Sequence, residues 1–377
     1  MVEKAVFFRE GLFRWHAQHS RPLPWKGERD PYRIWLSEII LQQTRVEQGL
    51  AYYERLVSVY PTVEHLARAP LEEVLKHWQG LGYYSRARNL HRAAQHIVFE
   101  RNGIFPKTFE EIRQLKGVGD YTAAAIASFA FNLPYAVLDG NVYRVLSRFF
   151  GIETPINTSK AQKEFSALAQ QLLDPARPGA YNQAIMDFGA SCCRPRQPTC
   201  NECPLAAGCV ALQENRVGEL PRKNPPLPKQ RRFFLYAVFF QGDIVWVRQR
   251  PLGDIWANLY EFALWEVNEL PKELDQLAVQ LTKHFLPNAS HLVTLKGIHG
   301  PYRQILSHQV IHALFFTFET TADLTQPLSS HFLEPLTFSS YEARIEEVEQ
   351  KLPLPKIIAQ FWREKVIPFR KKEVFHF

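Results

Sequence analysis

The sequence lacks any apolar run that approaches the length of about 20 residues needed to cross a bilayer. Its N-terminal stretch, Met1–Phe13, places charged residues among the apolar ones and so does not resemble a secretory signal. No internal repeat or low-complexity tract is present. These absences exclude a membrane-spanning or repetitive chain and argue against secretion. We therefore expect a soluble, intracellular protein.

Length and composition predict two globular domains. With 377 residues, the chain is long enough for two domains that each bury a core. Its hydrophobic content of 46% and charged content of 22% are ordinary for globular proteins. The net charge is +7. A basic balance is compatible with a polyanionic partner but does not specify one.

Four of the five cysteines lie close together, separated by six, two and five residues: Cys193, Cys200, Cys203 and Cys209. The loop they span has little apolar content, so something other than a hydrophobic core must fold it. Zinc usually takes two C-x₂₋₄-C pairs, and only one such pair is present. Disulfides suit secreted domains. A [4Fe–4S] cluster accepts four thiolates at irregular spacing. The spacing favours the cluster and leaves zinc and incidental thiols open.

A long helix is predicted from Asp30-Pro31, with Asp as N-cap and Pro at the first helical position, to about Tyr60. Gly49 is a candidate break in it. Glu38 lies on this helix among apolar neighbours. A carboxyl in apolar surroundings has a raised pKa and can hold a proton near neutrality, as a general acid requires. An ordinary surface glutamate is the alternative interpretation.

Two glycine turns are candidate nucleic-acid contacts. At 79–84, glycines would let the backbone approach a ligand, and tyrosines could wedge into or stack on bases; a tight turn with core tyrosines is the alternative. The second turn, 116–119, joins Phe109–Leu115 to Asp120–Phe131 in a helix–hairpin–helix. Its backbone N–H groups precede a helix N-terminus, which makes a natural phosphate cradle.

Asp139 directly precedes a predicted helix at Val142–Phe150. It fits the pattern of an N-cap, and a helix N-terminus keeps a carboxylate ionised. An ionised carboxylate can stabilise a developing cation, so the structural and catalytic interpretations are compatible.

The composition changes after Cys209. A basic, proline-rich linker follows at 216–231. Beyond it, strands and helices alternate as in a separate α+β domain, beginning with a β-hairpin at Phe233–Phe240 and Ile244–Arg250. Further strands are predicted at about 257–266, 292–298 and 303–318, and helices at 272–286, 341–350 and 356–365.

Taken together, the motif around Glu38, the hairpin, the stretch Leu138–Val142 and the cysteines resemble one family in order and spacing. That family is MutY, the adenine DNA glycosylases of the endonuclease III, helix-hairpin-helix superfamily. The likeness covers about residues 10–215. It implies an all-α helix-hairpin-helix glycosylase domain with a [4Fe–4S] loop at 1–215, the linker at 216–231, and a C-terminal α+β Nudix-like domain for 8-oxoguanine recognition at 232–377.

The resemblance implies a catalytic role for four residues. The reaction would be hydrolysis of the N-glycosidic bond of adenine mispaired with 8-oxoguanine, or less readily guanine, in base excision repair. Glu38 would protonate the adenine and Asp139 would stabilise the oxocarbenium-like sugar. Tyr121 and Asn141 would lie near the sugar and the attacking water. Endonuclease III carries a nucleophilic lysine where this chain has Tyr121, so a monofunctional enzyme without lyase chemistry is implied.

The resemblance also implies DNA contacts and metal ligands. Gln43 and Tyr83 would open the base stack, and Gln183 would touch the edge of the adenine. The remaining implied substrate or DNA contacts are Leu81, Arg21, Trp25, the backbone of Gly117, Val118 and Gly119, and Ser307 and His308 beside Leu306, which replaces the family's Phe. The [4Fe–4S] cluster would be held by Cys193, Cys200, Cys203 and Cys209.

The implied partner is double-stranded DNA with 8-oxoguanine:adenine or guanine:adenine mispairs, bound by a monomer in the cytoplasm, on the nucleoid if the source is bacterial. One rival is a bifunctional glycosylase/AP lyase on oxidised pyrimidines, against which Tyr121 and the second domain argue. Another is a non-catalytic mismatch-binding protein, against which the pairing of Glu38 with Asp139 argues. The second domain has no Nudix hydrolase box, so we expect recognition rather than nucleotide hydrolysis from it.

Overall fold

The computed structural model of the chain describes residues 2–271, 273–321 and 340–368. The chain forms two compact units, one of residues 1–68 and 89–226, the other of residues 69–88 and 227–377. Across the described ranges, every helix is too short or too polar to cross a membrane.

Helices dominate the chain up to residue 213. They are α1 Val2–His19, α2 Pro31–Leu41, α3 Val46–Val59, α4 Val63–Arg68, α5 Leu71–Trp78, α6 Ser85–Gln95, α7 Phe109–Gln114, α8 Asp120–Phe131, α9 Gly140–Phe150, α10 Ser159–Leu172, α11 Pro178–Ser191 and α12 Val210–Gln213. A π-helical turn, His96–Glu100, extends α6. Of these elements, α5 and the first turn of α6 belong to the second unit.

The start of α2 is as predicted, because Asp30 caps it by accepting a hydrogen bond from the Tyr32 N–H at 2.9 Å. The prediction of one helix reaching about Tyr60 is wrong. The chain leaves the helix after Leu41, passes through a left-handed residue, Gln43 (φ 55°), and resumes as α3. The break therefore falls before Gly49, where an added Cβ would lie 2.8 Å from Leu41 Cδ2, so the glycine permits close packing instead.

The helix–hairpin–helix is confirmed, with α7 and α8 joined through Gly117, which has φ 83°. Thr108 caps α7 by accepting from the Glu111 N–H. The small side chains of α8 allow close approach of α11, where an added Cβ on Gly179 would lie 2.9 Å from Ser128 O. The helical core forms mainly where α1, α9, α10 and α11 meet, around Phe8, Phe149, Phe165, Tyr181 and Phe188.

A seven-stranded sheet forms the second unit's centre among the described residues. Its strands are β1 Gln230–Gln241, β2 Ile244–Gln249, β3 Tyr260–Glu261, β4 Ala263–Val267, β5 Val293–Ile305, β6 Gln309–Thr320 and β7 Ser340–Arg344. The order is β3-β2-β1-β6-β5, with β4 also on β1 and β7 on β2. Only β1 and β6, among these pairs, run parallel.

The predicted hairpin is confirmed as β1 and β2. The predicted helices appear as α13 Leu274–Phe285, α14 Ile345–Lys351 and α15 Lys356–Phe361, the last followed by a π-helical turn, Trp362–Val366. The prediction of helix from 341 is wrong, because 340–344 pairs with β2 as β7. One face of the sheet packs on α13 through Leu235, Phe239, Leu281 and Phe316. A helical unit and an α+β unit thus agree with the predicted fold class at this level, while the [4Fe–4S] loop and the Nudix-like character of the second unit stay predictions.

Candidate active site

A cavity of about 470 Å³ in the first unit brings the two predicted catalytic carboxyls to one place. Glu38 reaches it from α2, and Asp139 from the start of α9. Its wall also contains the following predicted residues: Tyr121, Asn141, Gln183, Arg21 and Trp25. Segments far apart in sequence therefore converge on a single cavity, as the sequence prediction requires.

Glu38 is buried, with 6% of its surface exposed. Burial raises its pKa to about 7, and the negative charge of Asp139 acts in the same direction. A hydrogen bond with Tyr121 partly opposes this rise. The expected raised pKa of this carboxyl is thus confirmed, and near neutrality a substantial fraction of Glu38 holds a proton.

Asp139 is the N-cap of α9, as predicted. Its Oδ1 accepts from the Val142 N–H at 2.8 Å and its Oδ2 from Asn141 Nδ2 at 2.7 Å. Its pKa is nonetheless raised above the ordinary value, because burial outweighs these hydrogen bonds. The helix N-terminus thus favours the ionised carboxylate, as expected, but the desolvation of Asp139 opposes it and is the larger effect on its pKa.

Asn141 is held from behind by Arg144, one turn along α9. The Arg144 Nη2 donates to Asn141 Oδ1 at 2.8 Å and to Gly189 O at 2.7 Å, while its Nε donates to Cys193 O at 2.8 Å. An added Cβ on Gly189 would lie 2.7 Å from Asn141 Cβ, so the glycine is what lets α11 approach α9 here. A hydrogen-bonded chain therefore connects Asp139, through Asn141 and Arg144, to the start of the cysteine loop.

Asp187, which the sequence analysis missed, binds two residues of the cavity wall, His16 and Arg21. Its side chain is fully buried and accepts from Arg21 at 2.9 Å, His16 at 3.1 Å and Lys26. Although burial alone would raise its pKa, these three partners hold it at about 2. The partners lie in α1 and the irregular segment after it, so no helical spacing marks them as a group. The one sequence signal is that Asp187 is the only charged residue in α11.

The other predicted DNA contacts of the first unit lie in three different settings. Trp25 packs edge-on against Tyr53, with ring centroids 5.2 Å apart. Gln43 is exposed at the α2–α3 break and is not part of the cavity wall. In the hairpin, the Val118 N–H donates to Leu115 O at 3.0 Å. The predicted phosphate cradle therefore loses this donor, because the turn itself uses it.

Three predicted residues of the second unit meet at a second cavity, of about 630 Å³, whose wall does not include the predicted contact Leu81. Its wall includes Tyr83, Ser307 and His308 together with Trp256. The Tyr83 hydroxyl lies 3.0 Å from Ser307 Oγ. Leu81 is buried, with 6% exposed, whereas Tyr83 is 45% exposed. Of the two, only Tyr83 is thus accessible to a ligand.

The cysteine loop contains short 3₁₀ turns at Cys200–Glu202 and Ala206–Gly208. All five cysteines are free of disulfides. Arg148, 3% exposed, supports this loop by donating to Arg194 O at 2.7 Å and Pro195 O at 3.3 Å. Within the described ranges, no group of three or more His, Cys, Asp or Glu side chains is arranged to hold a metal ion. The four thiols are nevertheless the donor type that iron–sulfur clusters and structural zinc share.

Comparison with known proteins agrees with this geometry. Residues 36–171 match the family model described as HhH-GPD superfamily base excision DNA repair protein. A solved thermostable thymine-DNA glycosylase aligns with a TM-score of 0.53 and 30% identity, covering 56% of this chain and 98% of its own. The first unit thus has the helical HhH-GPD glycosylase fold.

Curated relatives narrow the assignment. The adenine DNA glycosylase of Buchnera aphidicola subsp. Acyrthosiphon pisum is 34% identical over 268 residues, or 71% of this chain and 77% of that protein. The adenine DNA glycosylase of Rattus norvegicus is 47% identical over 227 residues, or 58% of this chain and 44% of that protein. The chain therefore spans less than half the length of the rat relative. It belongs to the adenine DNA glycosylase family.

Proposed function

We propose that the protein is a monofunctional DNA glycosylase that removes adenine from mispairs in double-stranded DNA by hydrolysing its N-glycosidic bond. The observation that carries this proposal is the convergence of Glu38 and Asp139 on one cavity. Tyr121 occupies the wall where lyase chemistry would need an amine nucleophile. The adenine must leave the base stack to enter such a cavity.

Glu38 is the general acid of the proposed reaction. Its carboxyl transfers its proton to N7 of the adenine, so the base departs neutral as the C1′–N9 bond breaks. The bonding electrons leave with the base, and positive charge develops on the sugar. The hydrogen bond from Tyr121 stabilises the carboxylate that this transfer creates.

Asp139 and Asn141 serve the sugar side of the reaction. The Asp139 carboxylate faces the cationic sugar and lowers the energy of that state. Asn141, fixed by Arg144, donates to Asp139 and so holds the orientation of the carboxylate. A water molecule then bonds to C1′, and its proton passes to a carboxylate of the site. The products are free adenine and an abasic site.

The second cavity is the proposed site for the base opposite the adenine, which we take to be 8-oxoguanine or guanine. Tyr83, Ser307 and His308 supply polar groups at its wall. Leu306 contributes an apolar contact in place of a flat aromatic ring. In this proposal the first unit performs the chemistry and the second is a Nudix-like recognition domain, joined by the linker at 216–231.

Cys193, Cys200, Cys203 and Cys209 are the proposed ligands of a [4Fe–4S] cluster. The cluster supplies no step of the hydrolysis; it folds a loop that lacks a core of its own. Elemental analysis of purified protein tests this, with about four iron atoms per chain expected. Zinc in place of iron would contradict the cluster and leave the hydrolytic proposal standing.

The hydrolytic proposal is tested by single-turnover release of adenine from an 8-oxoguanine:adenine duplex. Glu38→Gln keeps the size of the side chain but removes its acid, and should slow release by about 10²–10⁴-fold. Binding of the same duplex should persist. Binding without any adenine release by the wild type would contradict an enzymatic function. Efficient borohydride trapping of a protein–DNA adduct would contradict the monofunctional reaction.

A further inference from the structure

The segment 69–88 is part of the second compact unit, although it lies in sequence between helices of the first. It consists of α5, the glycine turn 79–84 and the first turn of α6. The inner face of α5 is apolar, with Val74, Leu75 and Trp78 all fully buried. At its start, Glu72 accepts from the Tyr260 hydroxyl at 3.2 Å. The glycine turn is therefore carried by the same body that carries Ser307 and His308.

Lys76 links the end of α5 to the C-terminal end of α14. Its Nζ donates to Gln79 Oε1 and Leu352 O, both at 3.2 Å, and also to Glu349 O. An ammonium group has three N–H donors, and these three acceptors use them all. Because two of the acceptors are backbone carbonyls, the contact fixes the position of the main chain.

The same connection continues into the glycine turn. Gln79 Oε1 also accepts from the Leu354 N–H at 3.4 Å. The Tyr84 hydroxyl donates to Leu354 O at 3.4 Å and lies 3.3 Å from the Gly80 N–H, which donates to it. Gln79 and Tyr84, at the two ends of the turn, are thus both hydrogen-bonded to Leu354. Lys76 bonds to Gln79 and also to Leu352, two residues before Leu354.

Tyr83 lies at the tip of this turn in a left-handed conformation, φ 48°. Trp78 Nε1 and Arg86 Nη2 both donate to Gly82 O, at 3.0 and 3.2 Å. The Arg86 guanidinium also lies over the Tyr83 ring, 5.4 Å from its centroid. A non-glycine residue at positive φ persists only where surrounding contacts determine it, and here those contacts place its hydroxyl beside Ser307.

We propose that Lys76 is a positioning residue for recognition of the base opposite the adenine, acting by holding Tyr83 in register with Ser307. In this proposal Lys76 contacts neither the adenine nor the base opposite it. The inference rests on the proposed function, in which Tyr83 and Ser307 face that base. It adds that a single half-buried ammonium sets the positions of both the group that opens the base stack and the group that reads the base.

The test is Lys76→Met, which keeps the unbranched stem of the side chain and removes the ammonium with its three donors. Rates of adenine release are measured under single-turnover conditions on 8-oxoguanine:adenine and guanine:adenine duplexes. The preference for 8-oxoguanine should fall by about tenfold, the order expected for coupled contacts. The rate on guanine:adenine should stay near that of the wild type. In a Ser307→Ala background, Lys76→Met should have little further effect on the preference.

Lys351→Met is the matched control, because Lys351 lies in the same unit and its Nζ pairs with Glu347 at an exposed site. It should leave the preference unchanged. An unchanged preference in Lys76→Met, or an equal loss with and without Ser307, overturns the positioning role. If Lys76→Met does not fold, Gln79→Met removes the acceptor shared with Leu354 and must give the same loss of preference, or the proposal fails.

The rates of the wild type and of Lys76→Met separate failure of the proposed function from failure of the role of Lys76. A wild type that releases no adenine contradicts the proposed function itself. A wild type that releases adenine at equal rates opposite both bases contradicts 8-oxoguanine recognition, and the role of Lys76 with it. A wild type with a clear preference that Lys76→Met retains contradicts the role of Lys76 alone.

Discussion

The burial of Glu38 gives it the raised pKa that the proposed acid chemistry needs, but it lowers the stability of the folded protein when the carboxyl is ionised. Its pKa is raised from 4.5 to about 7 by burial, so the folded state favours the protonated carboxyl. Between about pH 4.5 and 7 the unfolded chain therefore binds fewer protons than the folded one, and stability falls as pH rises. Above about pH 7 the full penalty is present, up to about 3 kcal/mol.

Replacing Glu38 by Gln should therefore stabilise the protein at pH 8 while abolishing most activity. The amide carries no charge to bury, so the gain should be nearly lost at pH 4.5, where the wild-type carboxyl is protonated in the folded state and about half protonated in the unfolded state. Thermal unfolding at the two pH values measures this. Equal effects of the substitution at both would show that burial does not control the charge of Glu38.

Asp187 should stabilise the folded protein through its three basic partners. Asp187→Asn leaves His16, Arg21 and Lys26 without their shared counter-charge, and removal of one partner from a buried ion pair typically costs about 3–5 kcal/mol. Urea unfolding at pH 7 should show a loss of this order. Activity should also fall, because Arg21 and His16 line the cavity.

The matched control is Asp120→Asn, which removes an exposed carboxylate paired with Arg113. Exposed pairs contribute about 0–1 kcal/mol, so this variant should unfold near the wild-type midpoint. A similar midpoint for Asp187→Asn would mean that the buried cluster contributes nothing to stability.

Prediction from sequence succeeded for residues that act through their immediate surroundings. Glu38 lies among apolar neighbours on its own helix, and Asp139 directly precedes one. Asp187 was missed because its partners come from other segments, and no local pattern records where those segments meet. The rise in the pKa of Asp139 was missed for a similar reason, since its burial comes from the packing of the whole unit.

At the scale of elements, the approach of α9 and α11 decides where Asn141 and Asp139 lie. Gly189→Ala would place a methyl group 2.7 Å from Asn141 Cβ and 3.1 Å from its backbone oxygen. Neither neighbour can swing away without moving α9. We expect a loss of about 1–3 kcal/mol in stability and slower adenine release, measured by urea unfolding and single-turnover kinetics.

Gly218→Ala provides the comparison, because an added Cβ there meets nothing within 4 Å. It should leave both quantities near their wild-type values. If Gly189→Ala also leaves adenine release unchanged, the spacing of the two helices does not control the site.

Element boundaries followed the sequence where a cap or turn residue marks them, as at Asp30 and Gly117. They failed where the end of a helix depends on packing. From sequence, Gly49 is the candidate break in a helix predicted to reach about Tyr60, since glycine is the weakest helix former in that stretch. The chain instead turns at Gln43, and α3 uses the glycine to pack against Leu41.

For the whole molecule, the net charge of +7 predicts salt-sensitive binding to duplex DNA. If six or more phosphates are neutralised, affinity should fall by about 10³-fold or more between 50 and 200 mM salt. Fluorescence anisotropy with an undamaged duplex measures this. An affinity that does not change with salt would contradict binding through the phosphate backbone.

The predicted domain limits, 1–215 and 232–377, remain a prediction, and the compact units follow the chain differently at 69–88. The apolar face of α5 could be recognised from sequence. Which body it covers could not, because periodicity identifies a buried face without identifying what buries it.

Because α5 and the turn after it belong to the later body, the chain cannot be divided cleanly by one cut. Proteolysis within 223–229 would leave a C-terminal fragment that lacks α5, and with it Lys76. The same fragment would also lack the glycine turn 79–84 that contains Tyr83. The N-terminal fragment would expose Val74, Leu75 and Trp78 to water. Truncations made at that junction would therefore misfold on both sides, and their loss of activity would not measure what either half contributes.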